Sequence, residues 1–187
     1  VGRTLEEIQA LVVTHLHSDH IGPLILRACR ALGIPLWVHH QNLEPLRDAV
    51  EEIGIQNLTI HTFDGAPFSI GAVTFRPFPL SHDAANVTSG FVFHSTPTPR
   101  RFVSYATDLG TFNDTLLDYF QDAHTIVLES NHDPDLLWNN PRRHFLNKRR
   151  VTGTQGHLSN QQAANALVQI MQASAEMPRQ VILCHLS

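Results

Sequence analysis

The chain has 187 residues, of which 42% are hydrophobic and 16% are charged, a balance typical of one globular domain and not of a disordered segment. Its formal net charge is −4, so the protein as a whole does not attract polyanions, and any nucleic-acid binding requires a local basic patch. Two cysteines exclude a disulfide scaffold and suit a reducing compartment. No apolar run reaches the roughly 20 residues of a membrane span, and none resembles a signal peptide, so we expect no membrane partner and take the cytoplasm as the default location.

Apolar periodicity predicts strands that alternate with helices in the first third of the chain, then a run of strands, then alternation again. The predicted strands cover residues 11–14, 36–39, 58–63, 68–70, 73–79, 89–94, 101–106, 125–129 and 180–184. Helices are predicted over residues 21–32, 41–53, 116–120 and 160–173, with a short helix or turn at 4–9. Strands 89–94 and 101–106 are expected to form a hairpin. This order favours two sheets flanked by helices over a single doubly wound sheet.

The most informative segment follows the first predicted strand and runs T-H-L-H-S-D-H, from Thr14 to His20. It places three imidazoles and one carboxylate within six positions, and both groups bind metals such as zinc. Side chains two positions apart in an extended segment point the same way, so His15 and His17 can bind one ion. Asp19 and His20 lie beyond the turn and suit a second ion. The chain contains thirteen histidines, an excess that a metal site would explain.

Four further residues of ligand type stand where predicted strands end in loops: His82, Asp108, Glu129 and His185. A single histidine after a strand most often has a structural role. Loops at one edge of a rigid sheet, however, are the usual place where a site is assembled from distant parts of a sequence. Four such residues, together with the opening cluster, therefore predict one composite metal site.

T-H-L-H-S-D-H resembles the H-x-H-x-D-H signature of the metallo-β-lactamase fold, a mixed α/β (α+β) four-layer αβ/βα sandwich with a dinuclear metal site. The later segments S-H-D-A-A-N, A-T-D-L-G, L-E-S-N-H-D, G-H-L-S-N and C-H-L-S follow in the expected order. They are similar to those of the YycJ/WalJ branch, exonuclease-like hydrolases akin to the tRNase Z and PhnP phosphodiesterases. The resemblance implies a metal-dependent hydrolase of phosphodiesters that acts on nucleic acid.

The resemblance also implies seven metal ligands. One ion would be bound by His15, His17 and His82, a second by Asp19, His20 and His185, with Asp108 bridging both. The histidine ligands favour zinc, and the carboxylate ligands are also compatible with manganese. Asp19 lies close enough to a water between the ions to orient it or to accept its proton. A bridging aspartate is the pattern of phosphodiesterases and glyoxalases, whereas β-lactamases usually place cysteine there.

G-H-L-S-N resembles the G-H-S-T element of tRNase Z, whose histidine is thought to protonate the leaving oxygen. This implies that His157 is a general acid and that Glu129 holds its imidazole charged and oriented. The alternative is a structural His157 beside the helix cap at Ser159. His132 and Asp133 fit the branch motif and are expected outside the ligand set.

The stretch from 139 to 150 contains five of the thirteen basic residues, and a spacing of seven would put pairs of them on one helical face. We predict that this face contacts substrate phosphates through Arg142, Arg143, Arg149 and Arg150. The alternative is an ordinary solvated face.

Only fourteen residues precede the H-x-H-x-D-H loop, and the chain ends at Ser187. We therefore expect a single metallo-β-lactamase-like domain over residues 1–187, as a fragment that lacks the first strands and the last element of the fold. The rival hypotheses are a hydrolase of small cyclic or diester phosphates and, from another class, a metal-binding module without activity.

Overall fold

The computed structural model describes residues 4–187. In this range the chain forms nine strands: β1 (Leu11–Val12), β2 (Leu36–His39), β3 (Ile60–Phe63), β4 (Phe68–Ile70), β5 (Val73–Leu80), β6 (Thr88–Ser95), β7 (Phe102–Ala106), β8 (Thr125–Glu129) and β9 (Gln180–Cys184). The helices of the same range are α1 (Pro23–Leu32), α2 (Leu43–Glu52), α3 (Asp114–Phe120), α4 (Pro134–Asn139), α5 (Phe145–Val151) and α6 (Asn160–Ala173). None of the helices between residues 4 and 187 has the length and apolar character that crossing a membrane requires.

The strands form two sheets. The first sheet has the parallel order β1-β2-β3. The second has the order β4-β5-β6-β7-β8-β9, in which β4 to β7 pair antiparallel and β7, β8 and β9 pair parallel. The predicted two sheets and the β6–β7 hairpin are thus confirmed.

Each sheet buries one face against its own pair of helices. Leu36 and Val38 of β2 pack with the apolar faces of α1 and α2, and Ile126 and Leu128 of β8 pack with α3 and α6. Aromatic rings join the opposite faces of the two sheets. The ring centroids of Trp37 and Phe68 lie 5.0 Å apart, and those of Phe63 and Phe91 lie 5.5 Å apart. The layer order is therefore helices, sheet, sheet, helices.

Several predicted bounds agree with the structure, among them those of β2, β4, β8, β9 and α6. α6 begins where predicted because Ser159 and Gln162 form a capping box. β1 ends at Val12, two residues earlier than predicted. The Val13 amide still donates to the Trp37 carbonyl, but the Thr14 carbonyl accepts a hydrogen bond from the Ser89 amide of the second sheet. α1 begins two residues later than predicted, with Gly22 as its N-cap and Pro23 as its first residue.

The predicted helical face over residues 139–150 is wrong. α4 ends at Asn139, and Asn140 adopts an extended conformation (ψ 110) because it precedes Pro141. A new helix, α5, begins only at Phe145, after its N-cap His144. Arg142 and Arg143 therefore lie in the connection before α5, whereas the other two arginines lie in its last turn.

Candidate metal centre

Five loops place the predicted ligands at one end of the two sheets. The T-H-L-H-S-D-H loop follows β1, and the parallel strands β7, β8 and β9 end close to Asp108, at Glu129 and just before His185. His82 follows β5. Carboxyl ends of neighbouring parallel strands open at the same edge, so residues far apart in sequence meet there.

The first predicted ligand group is brought together by the structure. Each of His15, His17 and His82 offers a ring nitrogen, and these nitrogens lie within 4.8 Å of one another. His82 Nε2 lies 3.2 Å from His17 Nδ1. The opposite nitrogen of His82, Nδ1, lies 3.1 Å from the Gly156 carbonyl and donates to it, which leaves Nε2 free as an acceptor or ligand.

His15 is fully buried and in a form suited to metal binding. Its Nδ1 lies 3.0 Å from the Thr14 hydroxyl. Its Nε2 is buried and forms no hydrogen bond with any residue of the described range. Burial lowers the pKa of His15 to about 3, with a further contribution from the imidazoles of His20, His82 and His17. The ring is therefore neutral near pH 7, as a ligand must be.

The second predicted group, Asp19, His20 and His185, also offers ligand atoms within 4.8 Å of one another. His20 Nε2 lies 3.8 Å from Asp19 Oδ2, and the Asp19 side chain is 71% exposed. His185 adopts a positive φ of 57°, a conformation that is uncommon outside glycine and is often found at functional sites.

Asp108 lies between the two groups. Its Oδ1 is 3.7 Å from His82 Nε2 and 3.2 Å from His185 Nε2, and its Oδ2 is 3.3 Å from His20 Nε2. Asp108 is buried, and its Oδ2 forms no hydrogen bond within the described range. Its φ of 61° is again left-handed.

These residues fit a metal centre. A buried carboxylate oxygen and a buried imidazole nitrogen without hydrogen bonds are costly unless another group satisfies them. Here both point into a cluster of nitrogen and oxygen donors, the set that zinc and manganese bind. The structure brings Asp108 and the six other predicted side chains together in overlapping groups. Their assignment as metal ligands stays a prediction.

Glu129 is fully buried beneath the cluster and accepts four hydrogen bonds. Its Oε1 accepts from His157 Nδ1 at 2.8 Å and from His185 Nδ1 at 2.7 Å. Its Oε2 accepts from the backbone amides of Leu109 and Leu158, each at 3.1 Å. Burial alone would raise the pKa of Glu129, but the imidazole hydrogen bonds outweigh burial and lower it to about 2.

Glu129 thus fixes two rings. The predicted contact with His157 is present, and His157 Nδ1 also lies 3.7 Å from Asp108 Oδ1. The contact with His185 was not predicted. It leaves His185 Nε2 directed at Asp108, and the hydrogen bond that His185 Nδ1 donates to Glu129 raises the pKa of His185.

Comparison with known proteins identifies the family. The description of a beta-lactamase superfamily domain matches residues 1–186. The chain belongs to the beta-lactamase superfamily. It is homologous to exodeoxyribonuclease YycJ of Bacillus anthracis (28% identical over 183 residues, 98% of this chain and 66% of the relative) and to exodeoxyribonuclease WalJ of Streptococcus pneumoniae (27% over 188 residues, 100% and 66%). The chain therefore spans slightly less than two thirds of the length of these curated relatives.

Solved structures of low sequence identity share the metallo-β-lactamase fold. A diphosphatase of the PhnP family aligns with a TM-score of 0.68 at 18% identity, covering 98% of this chain and 62% of that protein. The short form of human tRNase Z aligns with a TM-score of 0.68 at 15% identity, covering 100% and 75%. The Bacillus subtilis metallo-β-lactamase fold protein YhfI gives a TM-score of 0.65 at 17% identity, covering 97% and 65%.

The arginines of the 139–150 stretch contact different groups, and their role in binding substrate stays a prediction. The Arg143 side chain reaches the Ser187 hydroxyl at 3.4 Å, and the Arg149 guanidinium lies 5.9 Å from the centre of the Phe145 ring. The Arg142 amide donates to the Asn140 side chain. Arg150 forms an ion pair with Asp83, the residue that follows the predicted ligand His82.

Asp83 is the residue near the centre that sequence reasoning missed. Its Oδ1 lies 3.6 Å from His82 Nε2. The sequence does show an acidic residue directly after the predicted ligand His82, in the segment S-H-D. Its partner Arg150, however, lies 67 positions further along the chain, so the ion pair could not be predicted from local sequence. His132 is buried, and Asp133 caps α4 through a hydrogen bond from the Leu136 amide, so neither contradicts the expectation of a place outside the ligand set.

Proposed function

We propose that this chain is the catalytic part of a metal-dependent phosphodiesterase that binds two divalent ions, zinc in the first place and manganese as the alternative. The observation that supports two ions best is the buried Asp108 carboxylate. One of its oxygens faces His82 and His185, and the other faces His20. A carboxylate with two oxygens is the group that two neighbouring cations can share.

The bound ions would polarise the phosphoryl oxygen and lower the pKa of a water molecule near the phosphorus. His15, His17 and His82 would hold one ion, and Asp19, His20 and His185 the other. The Asp19 side chain is 71% exposed, whereas that of Asp108 is buried. Asp19 can therefore contact the attacking water, orient it and accept its proton.

His157 would donate a proton to the leaving oxygen. The hydrogen bond to Glu129 fixes Nδ1 as a protonated nitrogen and leaves Nε2 for the substrate. The buried negative charge of Glu129 compensates the positive charge of a doubly protonated ring. The stacked arrangement of His157 and His185, with ring centroids 5.1 Å apart, keeps this proton donor beside the ligand cluster.

We infer that the substrate is a nucleic acid, by analogy with the relatives named exodeoxyribonuclease. The surface of α4 and α5 suits a single strand. Trp138 is 42% exposed and Phe145 57% exposed, their ring centroids lie 6.0 Å apart, and Arg149 lies over the Phe145 ring. Exposed aromatic rings beside cations bind successive bases and phosphates of single strands.

The test uses the purified chain with its metal content measured by inductively coupled plasma mass spectrometry. We expect about two ions per chain and hydrolysis of bis-p-nitrophenyl phosphate and of 5′-phosphorylated DNA. Asp108→Ala should abolish both activities. Asp48→Ala, which changes an exposed aspartate of α2, is the matched control and should leave them unchanged.

Three outcomes would contradict parts of the proposal. A metal-loaded chain without activity on any diester would indicate a binding module and not an enzyme. Activity on cyclic nucleotides but on no polymer would replace the nucleic-acid substrate with a small diester. One ion per chain with full activity would exclude the dinuclear centre.

A further inference from the structure

The ion pair between Arg150 and Asp83 stands at the rim of the metal centre. Arg150 Nη2 donates to Asp83 Oδ1 at 2.9 Å, and Arg150 Nε donates to Asp83 Oδ2, so the guanidinium and the carboxylate meet side by side. The same Oδ1 lies 3.6 Å from His82 Nε2, the nitrogen that His82 would offer to a metal. One carboxylate oxygen therefore separates the Arg150 cation from a predicted metal ligand.

Three other cations of the 142–150 stretch contact groups away from the predicted ligands. Lys148 is buried and donates to the Trp138 carbonyl at 2.8 Å. Arg149 lies over Phe145, and Arg143 reaches Ser187. Among the basic residues of this stretch, only Arg150 places its guanidinium against Asp83, the residue that follows the predicted ligand His82 in the sequence.

The Arg150 guanidinium retains free donors. Its side chain is 47% exposed, and its Nη1 forms no hydrogen bond to any residue of the described range. Arginine binds a carboxylate through one edge of its planar group and can offer the remaining N–H donors to a second oxyanion. Phosphate is the oxyanion whose geometry suits this fork.

Asp83 is itself held firmly, so it can orient Arg150. The Asp83 amide donates to the Gln155 carbonyl at 2.9 Å, and the preceding Ser81 hydroxyl donates to the Thr154 carbonyl at 3.1 Å. Two side-by-side hydrogen bonds from the guanidinium then hold Arg150 against this fixed carboxylate.

We propose that Arg150, positioned by Asp83, binds a non-bridging oxygen of the substrate phosphate beside the metal centre. This inference rests on the proposed function and deepens it, because it names the protein cation that recognises the phosphoryl group. A cation held in place before the substrate arrives binds an oxyanion without the entropy cost of ordering a free arginine.

The experiment measures the dissociation constant of inorganic phosphate from the zinc-loaded protein by isothermal titration calorimetry. Arg150→Ala should weaken phosphate binding about 10- to 100-fold, since it removes a hydrogen bond between charged groups. Arg150→Lys keeps the charge but loses the fork, so it should give a smaller loss. With bis-p-nitrophenyl phosphate, Arg150→Ala should raise KM more than it lowers kcat.

A positioning role for Asp83 predicts non-additivity. Asp83→Asn alone should weaken phosphate binding about threefold or more, whereas in the Arg150→Ala background it should have almost no effect. The matched control is the exposed pair of Arg47 and Glu44 on α2, 2.8 Å apart. Neither Arg47→Ala nor Glu44→Gln should change the phosphate dissociation constant.

A purely structural ion pair would give a different result. It would lower the melting temperature of Arg150→Ala and Asp83→Asn but leave the phosphate dissociation constant of folded, metal-loaded protein within about twofold, and this outcome would overturn the inference. Loss of bound zinc in Asp83→Asn would also overturn it, because Asp83 would then be a ligand. Absence of diesterase activity in the unchanged chain would instead refute the proposed function, since phosphate binding is measured separately.

Discussion

We expect the buried carboxylate of Glu129 to stabilise the folded protein and to hold the imidazoles of the centre in place. The substitution Glu129→Gln tests this expectation. The carboxylate accepts two imidazole N–H and two backbone N–H donors, and the amide of glutamine has only one oxygen. Whichever way the amide is oriented, its NH₂ group faces two donors. The variant therefore loses the charge and leaves buried donors without acceptors.

The size of the effect follows from the pKa of Glu129, which is lowered from its usual 4.5 to about 2. Each pKa unit corresponds to about 1.4 kcal/mol, so the ionised form contributes about 3 kcal/mol to folding at neutral pH. Since the pKa is lower in the folded state, this contribution is present above about pH 4.5 and is lost as the pH falls toward about 2.

The assay is urea unfolding of metal-free protein. At neutral pH, Glu129→Gln should lower the unfolding midpoint by about 1 to 2 M, for a slope of about 2 kcal/mol/M. The difference in unfolding midpoint between the variant and the unchanged protein should become smaller as the pH falls below about 4.5. Zinc affinity should fall about 10- to 100-fold, because His185 loses the acceptor that orients it.

The matched control is Glu52→Gln, which changes an exposed glutamate of α2 and should alter the free energy of unfolding by less than about 0.5 kcal/mol. The reasoning is refuted if Glu129→Gln behaves like this control. It is also refuted if the stability difference stays constant from neutral pH down to about pH 3.

Three further predictions concern the surroundings of the centre. Asp108→Asn should reduce bound metal from about two ions to about one per chain by mass spectrometry, because a neutral amide is a poor bridge between cations; an unchanged metal content would exclude bridging. Gly156→Ala should lower both the melting temperature and the zinc affinity. A Cβ at this position would lie 2.2 Å from the Val151 carbonyl oxygen and would displace the Gly156 carbonyl that His82 contacts. An unchanged melting temperature would contradict this prediction. Cys184 of metal-free protein should resist iodoacetamide at pH 8, because burial, with the charges of Glu129 and Asp108, raises its thiol pKa to about 11; rapid alkylation by mass spectrometry would show that this environment is wrong.

Local chemistry made much of the centre predictable. The histidines and aspartate of T-H-L-H-S-D-H follow one another within a single loop, so their proximity does not depend on the rest of the fold. His82, Asp108 and His185 could be placed because each follows a recognisable apolar strand, and strand ends meet at a sheet edge. The residue types and their position at strand ends were thus readable from the sequence alone.

Helix α6 was predictable for a similar local reason. Its capping box joins Ser159 and Gln162, three positions apart, and its apolar face repeats at the helical period. The basic stretch shows the limit of such reasoning. A spacing of seven suggested one helical face, but Pro141 interrupts the helix and separates Arg142 and Arg143 from the arginines of α5.

The amino-acid sequence by itself determined which donor groups this protein possesses and, through the family resemblance, their assignment to a metal centre. Only the tertiary structure decided how each group is used. In the tertiary structure Glu129 accepts hydrogen bonds from two imidazoles, and Asp83 forms an ion pair with Arg150, 67 positions away in the sequence. Hydrogen bonds of this kind depend on the relative placement of distant loops, and periodicity along the chain holds no information about that placement.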